Sequence, residues 1–60
     1  MEKDRFLKVY ANLPLGLRNE VILVLEGQGP ISWNVAFIEI NNDTKLGAII
    51  FQKLIDLDII

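Results

Sequence analysis

Neither cysteine nor histidine occurs in this chain of 60 residues. Their absence excludes disulfides, Cys/His zinc sites and every nucleophile that relies on a neighbouring imidazole. Below about 70–80 residues a core rarely holds a fold without such staples, so other stabilisation is needed. Proline is scarce, at two residues, and glycine is limited to four. They mark breaks between short segments and no repeat, linker or domain boundary, so one domain over residues 1–60 is expected. Long uncharged runs are missing too. No stretch reaches the roughly eighteen apolar residues of a membrane span, and the opening Met1-Glu2-Lys3-Asp4-Arg5 is charged, so the chain is expected to be untargeted, cytoplasmic and without a membrane partner. Cations are few: six Lys and Arg against eight Asp and Glu give a net charge of −2. The one local group, Lys3, Arg5 and Lys8, is interleaved with Glu2 and Asp4, which excludes the clustered positive charge of a nucleic-acid surface.

What the chain has in quantity is aliphatic residues. Hydrophobic residues make up 52% of it, with nine Ile and nine Leu. A folded domain of this size buries only about 60% of the surface its unfolded chain exposes, too little to hide them all. A self-interface is the economical outlet, so a homo-oligomer is expected, with a dimer favoured because two-fold closure is commonest.

The last seventeen residues concentrate this excess. Thr44 suits an N-cap, and Leu46, Ile49, Ile50, Leu54 and Leu57 recur at the three- and four-residue spacings of one helical face. Phe51 and Ile55 widen that face. Only Lys45, Gln52 and Asp56 cluster opposite, leaving an apolar arc of about 240° on the wheel, far wider than the stripe of an ordinary surface helix. Such a helix must be central or shared between subunits. Leu46, Ile50, Leu54 and Leu57 are the residues expected to carry self-association.

Upstream, Lys3–Ala11 reads as a short helix with Phe6, Val9 and Tyr10 on one face and acids at its start. Asn12-Leu13-Pro14-Leu15 looks like a restart. The next segment supports two readings: Leu17, Val21, Val24 and Leu25 line one face of a helix stopped by Gly27, while Val21–Leu25 also makes a five-residue apolar strand. Gly27-Gln28-Gly29-Pro30 reads as a loop. Ser32 is placed to cap a helix carrying Trp33, Ala36, Phe37 and Ile40, although Ile31, Trp33, Val35 and Phe37 also alternate as in a strand. The favoured reading is all-α, about four short helices in a compact, dimeric bundle. The alternative is α+β, two helices packed on a β-hairpin of residues 20–26 and 31–40.

Little here can do chemistry. Ser32, Thr44 and Tyr10 supply the hydroxyls, with no activating partner nearby in sequence, and Ser32 and Thr44 are better used as caps. Tyr10 reads as a boundary aromatic with its hydroxyl toward water. Glu39 lies within an apolar segment but has nothing beside it to orient a substrate. Asn41-Asn42-Asp43 lacks the ligand spacing of a calcium loop, and Gly27 and Gly29 lack the Lys-Ser/Thr of a phosphate cradle. No catalytic, cofactor-binding or metal-binding residue is expected. Trp33 is either a core residue or an interface anchor. Asp56 and Asp58 oppose the dipole of the terminal helix, and Lys3, Arg5 and Lys8 are the candidates to offset them.

Tyr10-Ala-Asn-Leu-Pro14, Ser32-Trp33 with Ala36 and Glu39-Ile40, and Asn42–Gly47 with Lys53-Leu54 together resemble a group of small uncharacterised prokaryotic proteins. That resemblance covers most of the chain and implies no activity. Leu13-Pro14 followed by Arg18, Glu20 and Val21 resembles the Leu-Pro helix of small antitoxin-type proteins. The expected function is a non-catalytic protein-interaction module that self-associates. The alternative is an antitoxin-like or regulatory component that binds a partner protein.

Overall fold

The computed structural model describes residues 2–60. In chain order they form helix α1 (Lys3–Ala11), a single 3-10 turn (Leu15–Leu17), strands β1 (Val21–Leu25) and β2 (Gly29–Ser32), helix α2 (Trp33–Asn41) and helix α3 (Lys45–Asp56). The fold is therefore α+β, three helices with a two-stranded antiparallel sheet, and the all-α reading as a four-helix bundle is corrected. Residues 21–25 are the reason. Their run of Val, Ile and Leu fits a pleated, half-buried surface, and as a strand it sends Leu23 and Leu25 to the core with Val24 outward. Pro14 starts only the 3-10 turn, so the Leu-Pro helix on which the antitoxin resemblance rests does not form.

The hairpin alternative also needs correction. Leu25 pairs with Gly29 and Leu23 with Ile31, but the second strand stops at Ser32, and residues 33–41 are helical. Ser32 marks that switch because its backbone is extended while its Oγ accepts from the Val35 N–H. The Trp33 and Asn34 N–H groups, also without helical partners, donate to the carbonyls of Glu20 and Arg18. These bonds weld β1's approach to α2. In the hairpin turn Gln28 N–H donates to the Leu25 carbonyl, and Gly27, at φ 84°, occupies the place where a type II turn requires positive φ.

Thr44 caps α3 as its sequence position predicts, accepting from the Gly47 N–H at 2.9 Å. Its hydroxyl also donates to Glu39 Oε1 at 2.6 Å, so the carboxylate inside the apolar segment has a structural partner. Helices α2 and α3 both end in Schellman bonding with aspartate in the left-handed region: Asp43 at φ 55° and Asp58 at φ 59°. Asp58 N–H donates to the Ile55 carbonyl and Ile59 N–H to the Leu54 carbonyl. Asp58 is thus a terminator, which accounts for one of the two acids at that helix end. Two of the three candidate cations take other partners: Lys3 pairs with Asp43 at 2.9 Å, and Arg5 donates to the Ile60 carbonyl at 2.7 Å. Asp56 accepts from Gln52. Glycine would hold the left-handed position without Cβ strain, so Asp58→Gly is expected to raise stability by about 0.5–1 kcal/mol in urea unfolding. A loss of stability would show that the aspartate side chain contributes more than its backbone strain costs.

The core joins all the regular elements. Phe6, Ala36, Ile40, Ile50 and Leu54 are fully buried, with Leu23, Leu25, Ile31 and Phe51 beside them. Helices α2 and α3 approach closely at Gly47, where a Cβ would stand 2.6 Å from the Glu39 carbonyl carbon and 2.9 Å from the Ile40 nitrogen.

Candidate functional site

Hydroxyls that could have served as nucleophiles are committed elsewhere. Ser32 and Thr44 accept helix N–H groups, and Tyr10 Oη donates to Asn34 Oδ1 at 2.7 Å instead of reaching into water. Tyr10 also stacks on Phe37 at 4.5 Å and carries the Arg18 guanidinium on its ring, 4.4 Å from the centroid. Arg18 Nη2 donates to the Tyr10 carbonyl, while Nε is buried with no partner among the described residues. This corner fastens the 12–20 connection onto α1 and α2. Trp33 joins its edge, half-buried and 5.9 Å from the Phe6 ring. Among the described residues no three acids gather closely enough to hold a metal ion.

Two concavities stand out among the described residues. The larger, about 860 Å³, is an open depression against the start of α1, lined by Glu2, Lys3, Asp4, Arg5 and Lys8 with Val9 and Ile60. Its charges are mixed, and Lys3 and Arg5 already have partners. It offers no uniform field to an ion. The second, about 490 Å³, runs between the hairpin and α3. Val24, Leu25, Glu26 and Gln28 form one wall and Leu46, Ile49 and Lys53 the other. Its volume falls within the range of small-ligand sites, but such sites add convergent polar groups to an apolar lining. Here the polar side chains on the walls, Glu26, Gln28 and Lys53, are all exposed.

That second groove has the character of a contact surface. Val24 is 71% exposed and Ile49 52% exposed, at the two sides of a floor made by buried Leu25 and half-buried Leu46. Ile49, Lys53 and Leu57 follow at four-residue spacing, a single row along α3, and Leu57 is 59% exposed. Of the four residues expected to carry self-association, the structure places Leu46 in the groove and Leu57 on the same row. Ile50 and Leu54 are wholly inside the chain's own core. Trp33 does not line the groove. Val24, Glu26 and Lys53 had no part in the expected surface. The signal for Val24 was strand alternation, which sets it opposite Leu23 and Leu25.

No helix among the described residues is long and apolar enough to cross a membrane. No family model, curated protein or solved structure matches this chain. What defines it is its own architecture, a small α+β domain with a complete core and an apolar groove left open between hairpin and last helix.

Proposed function

We propose that this chain is a non-catalytic protein-interaction module that self-associates as a homodimer in the cytoplasm. The observation that carries the reading is the exposure of Val24 and Ile49 on the two sides of a groove, with exposed Leu57 following on the α3 row, in a chain whose core is already filled by Phe6, Ile40, Ile50 and Leu54. Isolated exposed aliphatics need no explanation, whereas a patch with polar residues at its margin is what interaction sites present. The engagement of Ser32, Thr44 and Tyr10 in structural hydrogen bonds supports a role without catalysis. A chain free of cysteine suits the reducing cytoplasm.

Light scattering at micromolar protein is the test. The expected mass is twice the 6.8 kDa of one chain. A mass of one chain overturns the reading.

A further inference from the structure

Resting on that self-association, we infer that the groove between the hairpin and α3 is the surface on which two copies meet, the hairpin wall of each copy seated against the α3 wall of the other. The reason the occupant is a second copy lies in the charges at the margin. Glu26 stands on the hairpin wall and Lys53 on the helix wall of the same groove, both exposed. Neither takes part in an ion pair among the described residues, where the ion pair is Lys3 with Asp43.

A two-fold axis running along the groove exchanges its walls. In such an isologous contact, where residue i meets j and j meets i, Glu26 of each copy faces Lys53 of the other. The same operation sets the Val24 side of one copy against the Ile49 side of its partner, covering side chains that are 71% and 52% exposed in the single chain. Leu57, one turn beyond Lys53, extends the apolar row past the charged pair. A partner of a single charge sign would satisfy one wall and oppose the other. The surface is complementary to itself. Charges in this position chiefly set orientation and select the partner, while the apolar residues between them supply the adhesion.

Charge reversal reads this directly. Glu26→Lys and Lys53→Glu are each measured by sedimentation equilibrium at low salt, alone and combined, with far-ultraviolet dichroism to show that the folded monomer persists. Each single reversal is expected to weaken the dimer about tenfold, because symmetry repeats the like-charge contact twice in each interface. The double variant restores the opposite-sign pairs and is expected to return to within about threefold of the original affinity. A dimer of the unaltered chain that ignores both single reversals overturns this surface while leaving self-association standing. A dimer weakened by both singles and weakened further by the double also overturns it. An unaltered chain that is monomeric overturns the surface and the function together.

Discussion

Gly47→Ala is expected to destabilise the protein by about 2 kcal/mol or more, at a helical position where the same exchange ordinarily stabilises. Alanine gains about 1 kcal/mol over glycine in a helix interior. Against this, the new methyl would lie on the Glu39 carbonyl group, 2.6 Å from its carbon and 2.9 Å from the Ile40 nitrogen. These are backbone atoms of the neighbouring helix and cannot rotate away as a side chain would. Overpacking costs about 1–3 kcal/mol, and more when the backbone must shift, so the clash outweighs the propensity. For a chain of 60 residues, total stability is on the order of 3–9 kcal/mol, and the change removes a large part of it. Urea unfolding checks the sign. An alanine variant as stable as the original would mean that α2 and α3 are further apart at this point.

Leu54→Ala is expected to cost about 2–5 kcal/mol, the range for truncating a fully buried leucine. Leu54 has no exposed surface and shares the core with Phe6, Ile40 and Ile50. Its loss therefore falls on the folded chain itself. The contrast lies on the same helix at Ile49, which is 52% exposed: truncation there is expected to change monomer stability by less than about 0.5 kcal/mol and to weaken association instead. Chemical unfolding of both variants at equal concentration separates the two kinds of residue. A loss below about 0.5 kcal/mol at Leu54 would mean that α3 turns another face inward.

Capping chemistry was legible in the sequence. Thr44 and Ser32 stand at the starts of α3 and α2, and Lys3–Ala11 is helical over the span its charges and apolar spacing suggest. Residues 21–25 were not, because five apolar residues in a row satisfy helix and strand periodicity alike. The deciding factor was a partner strand that the sequence disguises as a loop: Gly29 and Pro30 are poor strand residues, yet both lie in β2. Segments 20–26 and 31–40 do not adopt one kind of structure together, since Ser32 ends a strand and caps a helix at a single residue.

The candidate surface was legible only in part, for a related reason. An apolar arc of about 240° tells that α3 is more than an ordinary surface helix, but not which part of it packs inward. The fold assigns Ile50 and Leu54 to the interior and leaves Ile49 and Leu57 outside. The opposite wall comes from the hairpin, so no reading of α3 alone could supply Val24 or Glu26. Gly47 likewise gave no sign of its role, because a close approach between helices belongs to tertiary structure.

The central claim, a complete single-chain core whose leftover apolar groove is closed by a second copy, is tested most directly by the midpoint of thermal unfolding followed over about a hundredfold range of protein concentration. Folding coupled to dimerisation obeys mass action, so the midpoint is expected to rise steadily with concentration. A midpoint that does not move with concentration would contradict the account.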